Sequence, residues 1–230
     1  MKSERLFITG TDTNIGKTVL SFLIMQYYFK KGCTPFYLKP FQTGCTRPDH
    51  PDSDADFIYR NIEQLKEKNC SDSVLYCFKE PKAPLFAARN ENAVINITRI
   101  LEAVEKKGHS YDPIIIEGAG GLLVPVDRKT LMIDIITKLN AKTILAANAG
   151  LGTINHTLLS IEALKNRGIE NPVVVLIKQK SNLISDSMLL ENIEAIELFS
   201  GLKPAGVIDY TIDFSSIDDA TFSVIESIVS

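Results

Sequence analysis

Short apolar runs alternate along the chain with longer segments in which apolar residues recur at the spacing of a helix face. Most of the short runs contain consecutive apolar residues, which is typical of parallel strands covered on both faces. Strands that alternate with helices indicate an α/β fold with three layers, a mostly parallel sheet flanked by helices. The pattern predicts strands at 6–9, 35–38, 111–117, 143–147, 172–177 and 206–208, and helices at 19–29, 54–68, 97–107, 154–167 and 185–199.

Segments rich in Pro and Gly interrupt this pattern. Residues 41–52 and 79–84 are therefore expected to be loops or turns. The tail 209–230 is acidic and weakly amphipathic, so we expect a terminal helix that packs or partly frays. The sequence shows no internal repeat, and 230 residues with 45% hydrophobic content can bury one good-sized core. We therefore expect a single domain, 1–230.

The first strand leads into the segment RLFITGTDTNIGKT at 5–18. A strand, a loop bounded by glycines and a helix starting with Gly-Lys-Thr form a phosphate cradle, because loop and first-turn N–H groups converge where the helix dipole favours negative charge. Gly16 would let the backbone approach phosphates, Lys17 would reach their β and γ oxygens, and Thr18 would ligate Mg2+. Five residues separate Gly10 from Gly16, one more than usual. A lysine at an ordinary helix start is the alternative, but the context predicts a fold of the P-loop NTPase type.

Charged residues near the ends of two strands extend this prediction. Ligands of open α/β sheets bind beyond the carboxyl ends of the strands, so Lys39 is either a phosphate or substrate contact or a solvated loop lysine. Glu117 ends an apolar strand, where P-loop enzymes place a second magnesium-holding carboxylate. Asp54 begins a helix capped by Ser53 and either complements the helix dipole or holds Mg2+.

A second anion site is indicated at the start of the helix 154–167. The sequence GTINH there presents free first-turn amides and an Asn side chain. His156, in the same turn, is interpreted as a packing or capping residue rather than as a catalyst.

Composition excludes several classes of function. The formal net charge is −3 and no cluster of Lys or Arg is longer than a pair, which argues against binding to nucleic acid or to an anionic membrane. No apolar run approaches the roughly 18 residues that a membrane span needs, and the N-terminus shows no signal-peptide pattern. We therefore expect a cytoplasmic protein. The four cysteines have no C-x-x-C spacing, and we expect reduced thiols packed as small apolar groups.

Five motifs together resemble the dethiobiotin synthetase family, whose relatives include the ATP-dependent cobyrinic acid amidating enzymes. They are GTDTNIGKT at 10–18, LKPFQTG at 38–44, SDAD at 53–56, EGAGGLLVP at 117–125 and LGTINH at 151–156, all in the family's order. The resemblance implies that 7,8-diaminopelargonate, CO2 and ATP give dethiobiotin, ADP and phosphate.

The resemblance also implies roles for matching residues. Lys17, Lys39 and Thr13 are expected to take part in catalysis, with Thr18, Asp54 and Glu117 at the magnesium ion. The ATP-binding segment is expected to comprise Asp12, Thr13, Asn14, Ile15, Gly16, Lys17, Thr18 and Val19. The diamine substrate is expected to contact Thr13, Lys39, Thr43 and Gly120, and its carboxylate to contact Gly152, Thr153, Ile154 and Asn155. In the family this last helix start comes from the other subunit, so a homodimer with shared active sites is implied.

The sequence departs from the family pattern at three places. Asn14 stands where the family commonly has Glu, which removes a negative charge near the diamine and the nucleotide. The usual adenine-reading Asn is absent after the strand 172–177, where the chain continues Lys178-Gln179-Lys180. The second segment with which the family contacts the base also departs from the usual pattern, with the sequence GVIDY at 206–210. We therefore expect phosphate and metal contacts to dominate nucleotide binding and base selectivity to be weak.

Two other functions remain open on the sequence. One is a different ATP-dependent amide- or carbamate-forming ligase of the same superfamily, although the amidating relatives usually carry a glutaminase domain for which this chain has no room. The other is a nucleotide switch of the partitioning type. Thr11 occupies the position near which such proteins place a second lysine, and the basic or amphipathic surface that they use is missing.

Overall fold

A seven-stranded sheet, in which every pairing is parallel, forms the centre of the molecule. The computed structural model describes residues 3–180, 184–214 and 217–230. The strand order is β3-β2-β4-β1-β5-β6-β7. The strands are β1 Arg5–Gly10, β2 Phe36–Thr43, β3 Val74–Phe78, β4 Ile114–Glu117, β5 Lys142–Asn148, β6 Val173–Ile177 and β7 Gly206–Ile208.

Eight α-helices within the described residues cover the two faces of the sheet. One hydrophobic core lies between the sheet and α1, α2 and α8, and a second lies on the opposite face against α4, α5, α6 and α7. The predicted three-layer α/β fold is therefore confirmed. The helices are α1 Lys17–Lys30, α2 Asp54–Asn61, α3 Pro84–Asn90, α4 Ile97–Lys107, α5 Met132–Leu139, α6 Thr153–Lys165, α7 Asp186–Ser200 and α8 Asp219–Val229.

The structure corrects the prediction at β2, which continues through Lys39 to Thr43 instead of ending at residue 38. Its pairing with β4 ends at Leu38, and beyond that point β2 pairs with β3 alone. Pro40 is tolerated there because it does not have to donate a hydrogen bond to β4. The first part of the predicted loop 41–52 is therefore strand.

Other differences concern helix ends and short elements. The helix predicted at 54–68 ends at Asn61, because Ile62 adopts an extended conformation (φ −104°, ψ 117°) and is buried. Short 3-10 turns follow at Glu63–Leu65 and Cys70–Ser73. The apolar pattern did not predict β3, α3 or α5.

Helix α1 is apolar on nearly all sides because α8 covers the side that faces away from the sheet. The Tyr27 and Phe222 rings lie 4.9 Å apart, and Lys31 forms a 3.1 Å ion pair with Glu226. The predicted terminal helix is therefore confirmed, although residues 215 and 216 of the tail lie outside the described residues. No helix in the described part of the chain is long and apolar enough to cross a membrane.

Candidate active site

A cavity of about 680 Å³ lies at the carboxyl edge of the sheet. The segment 10–18, called the P-loop below, forms its floor, and the ends of β2 and β4 form one wall. The start of α3 and the residues that follow β6 and β7 complete it. This is the edge at which open α/β sheets bind ligands, as the sequence predicts.

The backbone of the P-loop depends on two left-handed residues, Asn14 (φ 57°) and Gly16 (φ 97°). A Cβ added to Gly16 would lie 3.1 Å from the side chain of Ile177 at the end of β6, so the loop packs closely against the sheet. Gly16 is also the N-cap residue of α1, and no described side chain caps the helix. The N–H groups of the first turn are therefore available to an anion.

The three predicted metal ligands lie together at the start of α1. The Thr18 hydroxyl lies 2.7 Å from Asp54 Oδ1 and 2.9 Å from Glu117 Oε1. Asp54 reaches this point from the first turn of α2, where Ser53 accepts a hydrogen bond from the Ala55 amide. Hydroxyl and carboxylate oxygens are the donors that Mg2+ prefers, so the residues present fit the ion.

Lys39 lies between the same two carboxylates. Its Nζ is 2.8 Å from Asp54 Oδ2 and 2.7 Å from Glu117 Oε1, and its side chain is 6% exposed. An ammonium group thus lies between two carboxylates at the cavity. This arrangement is a second indication that the oxygens form a cation site.

The electrostatics of the two lysines differ. Burial, together with the neighbouring Lys39 charge, lowers the pKa of Lys17 to about 8 against the opposing effect of Glu117 and Asp54. Burial also disfavours the charge of Lys39, but Asp54 and Glu117 raise its pKa above the usual value. Although burial opposes ionisation of Asp54, Lys39 lowers its pKa. The cavity therefore holds Lys39 firmly charged and Lys17 less so.

Two buried hydroxyls that the sequence analysis missed also contact Glu117. Ser21 Oγ and Tyr37 Oη each lie 2.9 Å from Glu117 Oε2. Ser21 lies one turn after Lys17 on α1, and Tyr37 lies two residues before Lys39 on β2. Residues four apart on a helix share a face, and so do residues two apart on a strand. Ser21 and Tyr37 could therefore have been placed beside the predicted site once α1 and β4 were known to lie next to β2.

Most of the predicted nucleotide and diamine contacts line the cavity. Asp12 and Ile15 do not. The Asp12 carbonyl accepts a 2.7 Å hydrogen bond from Lys17 Nζ, and the Asp12 carboxylate accepts one from the Thr13 amide. Ile15 is buried below the loop. The lining residues among those predicted are Thr13, Asn14, Gly16, Lys17, Thr18, Val19, Lys39, Thr43, Asp54, Glu117 and Gly120.

The predicted carboxylate contacts of the diamine lie elsewhere. Gly152, Thr153, Ile154 and Asn155 form the start of α6 and do not line this cavity within the described chain. Gly152 is exposed and adopts a left-handed conformation (φ 86°), and Leu151 beside it is 87% exposed. One copy of the described chain therefore does not bring all the predicted substrate contacts together.

The end of the cavity farthest from β3 is polar. Ile177, Lys178 and Gln179 approach it from β6, and Asp209 and Tyr210 approach it after β7. Lys178 Nζ forms a 2.8 Å ion pair with Asp209 Oδ1. These are the positions at which the sequence departs from the family pattern for reading adenine.

Solved structures with this fold include a ParA family ATPase and a chain of a cell division protein complex. A ParA family ATPase from Chlorobium tepidum superposes with a TM-score of 0.59 at 12% identity, covering 99% of this chain and 98% of that one. A chain of the MinC:MinD cell division protein complex from Aquifex aeolicus superposes with a TM-score of 0.60 at 15% identity, covering 99% of this chain and 96% of that one. At this identity the likeness shows the fold alone, which is that of the P-loop NTPases.

Sequence relatives are more specific. The family model described as an AAA domain matches residues 4–217. The ATP-dependent dethiobiotin synthetase BioD of Halalkalibacterium halodurans is 34% identical over 92% of this chain and 86% of its own length. The enzymes of the same name are 40% identical in Lawsonia intracellularis, over 77% of each chain, and 32% identical in Methanococcus vannielii, over 91% of this chain and 95% of the relative. Similarity of this extent along both chains shows that the protein belongs to the dethiobiotin synthetase family.

Proposed function

We propose that the protein is an ATP-dependent dethiobiotin synthetase that acts in biotin biosynthesis. The observation that carries the proposal is the convergence of Lys17, Thr18, Lys39, Asp54 and Glu117 at one cavity, in a chain 34% identical to such an enzyme over 92% of its length. The substrates are 7,8-diaminopelargonate, CO2 and ATP, and the products are dethiobiotin, ADP and phosphate.

The reaction needs positioning and electrostatic stabilisation rather than a nucleophilic side chain. One amine of the substrate captures CO2 as a carbamate, and a carbamate oxygen attacks the γ-phosphorus of ATP with release of ADP. The second amine then attacks the carbonyl of the mixed anhydride, phosphate leaves, and the ureido ring closes. Each step concentrates negative charge on oxygen atoms, which fixed cations and oriented N–H groups stabilise.

The lysines supply this charge in the proposed mechanism. Lys17, at the first turn of α1, contacts the β and γ phosphate oxygens in place of the Asp12 carbonyl, to which its Nζ donates a hydrogen bond in this structure. Lys39 contacts the carbamate and the phosphoryl group in transfer. Its contacts with Asp54 and Glu117 keep it charged and aimed into the cavity. Thr13, Thr43 and Gly120 contact the diamine from the surrounding wall.

Thr18, Asp54 and Glu117 would hold Mg2+. The ion, when bound, neutralises charge on the phosphate oxygens. The contribution of the chain is to present the three oxygen donors together: Thr18 lies within 2.9 Å of both carboxylates. The two acids thereby also restrict the rotamer of the Thr18 hydroxyl.

We further propose a homodimer in which the start of α6 reaches the cavity of the partner subunit. Support comes from the exposure of Leu151 and Gly152 and from the position of Gly152, Thr153, Ile154 and Asn155 outside the cavity of their own chain. First-turn N–H groups of α6 suit the substrate carboxylate.

Mixing two inactive variants tests the shared site. Lys17→Ala and Asn155→Asp each impair every site of their own homodimer, whereas a heterodimer would contain one site with both native residues. After subunit exchange, random mixing should restore up to about a quarter of the wild-type activity. Light scattering would report the mass of the assembly. A monomeric wild type, or a failure to complement although heterodimers form, would contradict this arrangement.

The activity itself is tested with purified protein, diaminopelargonate, bicarbonate, MgCl2 and ATP. We expect phosphate release only with the diamine, in equal amount to a product heavier than the diamine by one carbonyl and lighter by two hydrogens. ATP hydrolysis without the diamine, or none at all, would reject the substrate assignment. A cobyrinic acid panel in the same assay distinguishes the amidating alternative.

A further inference from the structure

The two oxygens of Glu117 lie in different surroundings. Oε1 faces the cavity, where Thr18 lies 2.9 Å away and Lys39 2.7 Å away. Oε2 faces the interior, where the hydroxyls of Ser21 and Tyr37 each lie 2.9 Å away. The Glu117 side chain has no exposed surface, so these contacts take the place of water.

The fold brings the two interior hydroxyls to Glu117 by register. In the parallel pair of β2 and β4, Tyr37 lies opposite Ile115. Alternate residues of a strand point to the same face, so Tyr37 and Glu117 both point toward the layer that contains α1. Ser21 meets them from the second turn of α1. Ser21 and Tyr37 are both almost completely buried.

These hydrogen bonds limit how the carboxylate can rotate. A hydroxyl that donates to a charged acceptor makes a stronger bond than one that donates to a neutral acceptor. Ser21 Oγ also lies 2.9 Å from the Lys17 carbonyl, and its single proton is shared between that oxygen and Glu117. The Tyr37 hydroxyl therefore makes the larger contribution. Removal of either hydroxyl leaves a buried charged acceptor short of a donor, which favours reorientation of Glu117.

We propose that Tyr37, assisted by Ser21, is a positioning residue of the cation site. The two hydroxyls hold Oε2 of Glu117 and thereby keep Oε1 directed at Thr18, where a divalent cation would bind. This inference rests on the proposed function in one respect, that Glu117 is a metal ligand. Neither Ser21 nor Tyr37 lines the cavity, so their effect on the reaction passes through Glu117.

The direct test measures Mn2+ affinity of the nucleotide-free protein by electron paramagnetic resonance of the unbound ion. Groups that hydrogen-bond to a metal ligand typically change metal affinity about 10- to 100-fold. We expect Tyr37→Phe to weaken Mn2+ binding by about that factor and Ser21→Ala to weaken it less. Tyr59→Phe is the matched control, because it removes another buried phenol hydroxyl, which lies 2.8 Å from Ser73 and forms no hydrogen bond to Glu117, and it should leave Mn2+ binding unchanged.

A double-mutant cycle separates positioning from a general loss of stability. If Tyr37 acts through Glu117, Tyr37→Phe should have little further effect on Mn2+ affinity in a Glu117→Gln background. Thermal unfolding of each variant shows whether it is folded, and Ser21→Ala serves as the second probe if Tyr37→Phe is not. Unchanged Mn2+ affinity in both single variants would overturn the proposal.

Other results would separate this proposal from the proposed function. If wild-type protein binds no Mn2+, the cation site and the positioning role both fall. If Mn2+ binding is normal in every variant and diamine-dependent phosphate release persists, the synthetase assignment stands and only the positioning role is rejected. Equal losses of Mn2+ affinity in Tyr37→Phe and Tyr59→Phe would also reject it, because they would show a structural effect.

Discussion

Lys39 Nζ lies 2.7 Å from Glu117 Oε1, the same oxygen that contacts the Thr18 hydroxyl at 2.9 Å. The ammonium group and a divalent cation would therefore compete for the same carboxylate. Asp54, 2.8 Å from Lys39 through its other oxygen, is shared in the same way. Lys39 therefore balances the same two negative charges that a metal ion would balance.

Replacement of Lys39 by Met should therefore change metal binding and activity in opposite directions. The buried Glu117 and the half-buried Asp54 attract a divalent cation more strongly without their ammonium partner, and we expect Mn2+ affinity of the nucleotide-free protein to rise by about tenfold. Turnover should fall on the order of a hundredfold because the transferring phosphoryl group loses a fixed cation. Lys82→Met is the control, since Lys82 lines the same cavity but pairs with Glu80. Weaker Mn2+ binding in Lys39→Met would contradict the shared use of the carboxylates.

Lys17 should contribute mainly to the rate of the chemical step. We expect Lys17→Ala to lose on the order of a hundredfold or more in kcat, by analogy with the removal of one preorganised donor to a transition state. The side chain is buried and donates a hydrogen bond to the Asp12 carbonyl. Because burial disfavours its charge and lowers its pKa to about 8, removal of the ammonium group should leave the variant folded. Steady-state kinetics at saturating ATP, with thermal unfolding as the check on folding, would measure this. Unchanged turnover would remove Lys17 from the mechanism.

The local sequence was sufficient for some parts of this site and insufficient for others. The P-loop and Thr18 could be predicted because turn chemistry and the start of a helix depend on neighbouring residues. For Asp54 the local sequence left helix capping and metal binding open, and the resemblance to the family implied the metal. The contact between Tyr37 and Glu117 joins residues 80 positions apart and depends on the register of β2 against β4. No short segment encodes that register, so the two interior hydroxyls could not be found from the pattern alone.

The same distinction explains the missed elements of the fold. Strand β3 (VLYCF) is an edge strand and a continuous run of five apolar residues, and periodicity alone does not distinguish so short a run from a segment of a buried helix. Helix α5 (MIDIITKL) is short and apolar enough to be read as a strand. The extension of β2 past Pro40 required the knowledge that β4 ends beside it. The conformation of all three segments therefore depends on neighbours that are distant in the sequence.

The thiol of Cys77 should react slowly in the folded protein. Burial, with smaller effects of Cys45 and Glu91, raises its pKa to about 11. The thiolate is the reactive form, so at pH 8 the folded protein should alkylate at Cys77 on the order of a hundredfold more slowly than the unfolded chain, and the rate should rise about tenfold per unit between pH 8 and 10. Iodoacetamide labelling followed by mass spectrometry of the Cys77 peptide would measure both. A rate independent of pH over this range would contradict the raised pKa.

Base selectivity is expected to be weak because the cavity presents charge rather than an Asn side chain at its end near β6 and β7. Lys178 and Asp209, paired at 2.8 Å, place one donor and one acceptor there, and each of ATP, GTP and CTP has a base edge with both kinds of group. The phosphate contacts of the P-loop are common to all three nucleotides. We therefore expect kcat/KM for ATP, GTP and CTP to lie within about tenfold of one another, and Asp209→Ala to shift their order without abolishing turnover. A hundredfold preference for ATP would count against this prediction, since discrimination of that size needs a base-specific hydrogen bond.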